Sequence, residues 1–365
     1  MRKLLLIGLA SVIGAAAAHS AEVAVVNPQR HAGGFAQQAN NRVFAASTQP
    51  LPLPLKTHTA SDARIAALAQ QLIDKHPTLS LLLLDRGEIV FEQYRAPAHA
   101  QAKMYSQSMS KSLTAYTLGA MLCDGKLRSL DDPAHRYVPE LTGTAPGDAP
   151  LKHVLAMSSG GTDAKMAGAH EDNEWAKINR HQLTTTEVVK KHGAKSIASG
   201  QELRYSATDT FALSLTADAA GGFFRNFEQH LWQPARTEST GHWLFDREGK
   251  PMSASGFSAT TRDWGRLALH SVRLLKSGGC MGDFMQAATH AQVPNKTKRV
   301  GAAFASYGYQ TWVGNFGRVP SYWWLGYGGQ RVGIDPAGEK ILVLTSHRED
   351  YMGEVYRLFA QWTRP

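Results

Sequence analysis

Cysteine is nearly absent: Cys123 and Cys280 are the only two in 365 residues, which excludes a small disulfide scaffold and a cysteine-built metal centre. The pair itself reads two ways, as a bridge formed in an oxidising compartment or as two buried thiols. Neither His-Glu-x-x-His nor Cys-x-x-Cys occurs, so no metal or other cofactor is expected. No dense run of Lys or Arg accompanies the formal charge of +9, and nucleic acid is not an expected partner. Gly-x-Ser-x-Gly is missing too, which removes the nucleophile turn of the α/β-hydrolases. No internal repeat is visible. What remains is 43% hydrophobic and 19% charged, an ordinary globular composition with enough chain for one sizeable core.

The chain opens with a basic Met1-Arg-Lys3, a short apolar stretch to Ala18, and small residues at Ala18-His-Ser20. This is the pattern of a cleavable export signal, too short for a comfortable membrane span. We expect residues 1–20 to be removed and the product to be periplasmic or secreted, without a stable membrane anchor. Loss of Arg2 and Lys3 takes the formal charge from +9 to +7. Residues 21–58, rich in Ala, Gln, Asn and Pro, read as an extended leader, and residues 59–365 as the folded domain.

One Ser-x-x-Lys occurs, Ser108-Met-Ser-Lys111, where a helical pattern begins. Residues i and i+3 share a helix face, so the lysine amine lies one turn above the serine hydroxyl. A desolvated amine takes a hydroxyl proton more readily, because burial disfavours its charged form. The helix N-terminus favours negative charge developing beside it. The plain alternative is a capping serine followed by a solvated lysine.

The coarse order of elements is a helix over 63–73, strands over 81–84 and 89–94, and a mainly helical stretch of about 110–240. Strand-like runs over 308–314, 322–334 and 340–345 and a closing helix over 355–362 follow. This order predicts an α+β fold, an antiparallel sheet of about five strands flanked by terminal helices, with an inserted helical subdomain.

Six landmarks in order sharpen the reading: Ser108-Met-Ser-Lys111; Gly125-Lys-Leu-Arg-Ser-Leu-Asp-Asp-Pro133 with Tyr137-Val-Pro-Glu140; His153-Val-Leu-Ala-Met-Ser-Ser-Gly160; Ser199-Gly-Gln-Glu-Leu-Arg-Tyr-Ser206; Ser255-Gly-Phe-Ser-Ala-Thr-Thr-Arg-Asp-Trp264; and Gly326-Tyr-Gly-Gly-Gln330. With them the chain resembles the serine β-lactamase and penicillin-binding-protein superfamily. Within it, the likeness is to the class C-like branch of family VIII esterases and 6-aminohexanoate-dimer hydrolases. The resemblance implies a serine hydrolase acting on a small-molecule ester or amide. Ser108 would be nucleophile, Lys111 and Tyr205 the proton-handling pair, and the N–H groups of Ser108 and Tyr327 the oxyanion donors. Trp324, Gly326, Gly328, Trp175 and His242 are the expected substrate-side residues, with Trp323 and Trp324 forming an apolar wall and His242 in a loop at the pocket rim.

The departures are informative. The family's Lys-Thr-Gly is absent; Trp324-Leu-Gly326 occupies its place, or Tyr327 takes the lysine position in an alternative register. Ala207 stands where the tyrosine motif usually supplies an asparagine. Both losses remove charge-assisted or amide contacts to a β-lactam or peptide, so strong β-lactamase or D,D-peptidase activity is not expected. The loop 161–175 lacks the tyrosine that aminohexanoate-dimer hydrolases use. A weak β-lactamase or D-amino-acid peptidase, and a catalytically silent binder of cell-wall fragments, are the alternatives. Thr260 to Asp263 reads as a helix cap, Trp264 as core and His153 as a packing residue. Oligomeric state is left open.

Overall fold

Local signals start the fold in the expected places. Thr59 caps the helix Ala60–Lys75: its hydroxyl accepts from Asp62 N–H, and the Asp62 carboxylate accepts from Thr59 N–H, a reciprocal box that satisfies two orphan donors. At the other end Met352–Trp362 turns Val355, Leu358, Phe359 and Trp362 inward. The computed structural model describes residues 27–35, 38–162, 173–298, 300–316 and 319–364. The proposed signal segment and most of the loop 161–175 lie outside these.

The terminal helices lie on one face of an eight-stranded sheet. Its order is Glu88–Tyr94, Thr78–Asp85, Lys340–Ser346, Gln330–Asp335, Val319–Gly326 and Trp312–Phe316, then the two-residue ribbons Ser306–Tyr307 and Val293–Pro294, antiparallel throughout. Thr78–Asp85 is buried at every position, because helices cover both faces and leave no polar side to alternate with. Thr261–Lys276 packs on the opposite face so closely that a Cβ on Gly265 would lie 2.8 Å from Leu84.

Three expectations need correction. The sheet has eight strands against the expected five or so, and the run 308–314 is strand only from Trp312. The run 322–334 is two strands, not one: a hairpin turns at Tyr327-Gly-Gly329, with Gly328 at φ 73° and Gly329 at φ 95°. Glycine alone adopts that left-handed region without strain.

A second sheet of four short strands runs Asn41–Phe44, Gly241–Leu244, Phe257–Ala259, Met104–Tyr105. Between Met104–Tyr105 and Gly241–Leu244 every element among the described residues is helical. The helix Ser110–Cys123 is buried from Ser110 to Met121, as a helix packed on all sides must be. It crosses Gly279–Thr289 with the Gly119 position against the Phe284 ring. Cys123 and Cys280 form a disulfide between these two helices.

From residue 27 the leader is folded onto the domain. It forms a short helix Pro28–Gly33, the edge strand Asn41–Phe44 and a bridge from Leu55 to Ile89.

Candidate active site

The strand Met104–Tyr105 delivers the chain into a 3-10 turn, Gln107–Met109, which runs straight into the helix Ser110–Cys123. Gln107 adopts φ 44°, an uncommon conformation for a residue with a Cβ and one often found beside reacting groups. Three successive carbonyls hold this turn from outside. Ser253 O accepts from Ser110 Oγ at 2.8 Å, Ala254 O from Lys111 Nζ at 2.8 Å, and Ser255 O from Ser106 Oγ at 3.1 Å. The amine of Lys111, 3% exposed, is thereby aimed by a backbone acceptor.

Lys111 Nζ lies 5.5 Å from the centroid of the Tyr205 ring. Tyr205 sits just before the helix Ala207–Gly221 and is held by rings: Trp312 stacks at 5.5 Å and Tyr307 meets it edge-on at 6.0 Å. Ser108, one turn before Lys111, is half-buried and lines a cavity of about 250 Å³. Tyr327 and Trp175 line the same cavity.

Tyr327 reaches it because the strand Val319–Gly326 ends against the Gln107–Met109 turn. A Cβ on Gly326 would stand 2.4 Å from Ser106 O and 2.9 Å from Gln107 Cβ, so only glycine permits this approach. Gln330, fully buried, fixes the hairpin, its amide donating to Tyr327 O at 3.0 Å and to Ser346 O at 2.8 Å. Gly328 serves this turn through its positive φ and is not among the cavity-lining residues. Backbone donors carried this way are rigid, the property an oxyanion site needs.

Three further residues expected at the pocket, Trp324, Trp323 and His242, lie elsewhere. Trp324 is 1% exposed, and its Nε1 donates to Tyr116 OH at 3.1 Å within the core. Trp323 points to the other face, against Phe359 at 4.7 Å. Successive strand residues alternate faces, so the two tryptophans cannot form one wall, and both faces of this sheet are covered. His242 lies in the strand Gly241–Leu244, not in a loop, and is buried between Asn41 and Thr240. Burial, with the Lys103 charge nearby, lowers its pKa. The strand is covered on both sides, which its four residues could not reveal.

His153 accepts or donates a 3.1 Å bond to Ser199 and packs under Gly200, Thr260 caps its helix, and Trp264 is core.

Sequence reasoning missed other residues around the site. Asp209, fully buried on the helix after Tyr205, accepts from Ser159 Oγ at 2.8 Å. Burial pushes its carboxyl up to about 7, against the opposing pull of the Ser159 bonds and the Lys111 charge. The same helix carries Asp218 and several Ser and Thr residues, so no local signal singles Asp209 out. Arg30 and Phe35 of the leader, with Tyr105 and Gln107, also line the cavity; nothing local in the leader points there.

The chain matches the family model described as Beta-lactamase over residues 65–361. A 6-aminohexanoate-dimer hydrolase from Paenarthrobacter ureafaciens is 24% identical over 238 residues, 59% of this chain and 58% of its own length. The chain thus spans somewhat over half the length of that curated relative. A solved Bacillus anthracis structure, described by the same activity, superposes with TM-score 0.72 at 17% identity, covering 88% of this chain and 89% of its own. EstCE1, a hydrolase with promiscuous acyltransferase activity, gives TM-score 0.66 at 17% identity, over 82% of this chain and 97% of its own. These likenesses establish the expected fold.

Proposed function

The chain belongs to the beta-lactamase family, and from that premise we propose that it is an exported serine hydrolase cleaving small esters or amides through an acyl-enzyme on Ser108. One observation carries the reading: a half-buried serine on a cavity wall begins a helix whose buried lysine stands 5.5 Å from the Tyr205 ring. Lys111 and Tyr205 take the proton from Ser108 Oγ as it attacks the carbonyl carbon. The N–H groups of Ser108 and Tyr327 receive the oxyanion, where preorganised donors act without reorganising. Tyr205 returns the proton to the leaving oxygen or nitrogen as that bond breaks. Water, deprotonated by the same pair, then releases the acid and restores Ser108.

The relatives agree with this chemistry. The Paenarthrobacter enzyme is named for an amide-linked dimer, and acyl transfer, the promiscuous activity of EstCE1, is what an acyl-enzyme does when an acceptor other than water arrives. Export is supported by the signal-like residues 1–20 and by the Cys123–Cys280 bridge, a bond that persists in oxidising compartments.

Turnover of a short-chain p-nitrophenyl ester tests the proposal. Ser108→Ala is expected to abolish it and Lys111→Ala to slow it by orders of magnitude with the fold intact; full turnover by Ser108→Ala contradicts the assignment. Faster cleavage of nitrocefin than of the ester would favour the β-lactamase alternative.

A further inference from the structure

The cavity beside Ser108 is mostly apolar, with Phe35, Trp175, Leu244 and Met252 in its wall. Among the described lining residues one carries a charge: Arg30. No carboxylate lies among them to neutralise it, and its guanidinium faces the Tyr105 phenol, another lining group.

Arg30 is not on a loose tail. Asn27 caps its helix by accepting from Arg30 N–H at 3.0 Å, and the next two residues, His31 and Ala32, are buried. Phe35 packs against Tyr105 with ring centroids 4.0 Å apart and planes tilted by 35°. At Gly34, φ 61°, a Cβ would lie 2.5 Å from Lys103 Cβ, so the leader touches the domain where only glycine fits. The segment precedes residue 65, where the family match begins, so the cation comes from outside the residues that the family model matches. It stands in a chain that lacks the Lys-Thr-Gly lysine.

We propose that Arg30 is a specificity-determining residue and that the substrates are esters or amides carrying a carboxylate at the far end of an apolar chain. This rests on the serine-hydrolase reading above. The apolar wall takes the methylenes, and the guanidinium takes the terminal carboxylate as a charge-assisted pair. Arg30 is exposed, so the pair is modest in strength and screened by salt.

The test compares the monoanionic mono-p-nitrophenyl suberate with its neutral methyl-capped counterpart, on the whole mature protein. The unaltered enzyme is expected to favour the anion about fivefold in kcat/KM at low ionic strength, through KM. Salt should shrink the ratio, Arg30→Gln should bring it to about one, and Arg30→Lys should keep part of it. Equal turnover of both esters by the unaltered enzyme, or a ratio that survives Arg30→Gln, overturns the assignment of Arg30 while leaving the hydrolase reading in place. No turnover of either ester removes both.

Discussion

Replacing Gly326 by alanine adds one carbon at the tightest junction of the site. That carbon would stand 2.4 Å from Ser106 O and 2.9 Å from both Gln107 Cβ and Gln330 Cβ, where ordinary contact begins at 3.4 Å. Ser106 is itself pinned by the carbonyl of Ser255, and Gln330 by Ser346. The strand end must therefore retreat by about 1 Å, taking the Tyr327 N–H with it. A displacement of that size at a reacting group costs about 100-fold in rate, and overpacking costs about 1–3 kcal/mol of stability. We expect Gly326→Ala to lose about two orders of magnitude in kcat for a p-nitrophenyl ester, with a lower melting temperature. The comparison is Gly353→Ala, whose added carbon would meet only the Arg357 guanidinium at 3.7 Å and should leave kcat alone. A Gly326→Ala enzyme with undiminished kcat would refute the claim that Tyr327 is positioned through this contact.

The folded chain keeps a proton on Asp209 up to about pH 7, while an unfolded aspartate releases it near 3.8. Between those values the folded state binds more protons, so this group makes stability fall as pH rises from about 4 to 7. A gap of about three units corresponds to about 4 kcal/mol. Asp209→Asn should flatten that slope in urea titrations run across the window; an unchanged slope would show the carboxyl is not buried as described. Cys123 and Cys280 close a loop of 157 residues, for which the chain-entropy limit is about 5 kcal/mol. The double serine variant should unfold at clearly lower denaturant, and an unchanged midpoint would contradict the bridge.

Much of this was legible in the sequence where the signals are local. The Thr260 to Asp263 cap, the Ser108 to Lys111 spacing and the terminal helices each lie within a few residues of chain. Tyr205 and Gly326 were found by motif order, because each sits at a fixed place relative to a turn. What escaped was decided by distant partners. Asn41–Phe44 pairs with Gly241–Leu244, about 200 residues away, and no periodicity in either announces it; hence His242 looked like a rim residue. Trp323 and Trp324 look alike in a string, but strand alternation sends them to opposite faces, both covered. Arg30 owes its place to the docking of a composition-biased leader that has no amphipathic pattern long enough to read.

That Ser108 is the activated nucleophile is tested most directly by intact mass and peptide mapping after exposure to a fluorophosphonate, which phosphonylates the serine oxygen as fluoride leaves. One adduct per chain is expected, on Ser108, lost in Lys111→Ala at equal exposure. A chain that stays unmodified, or carries the label on another residue, contradicts it.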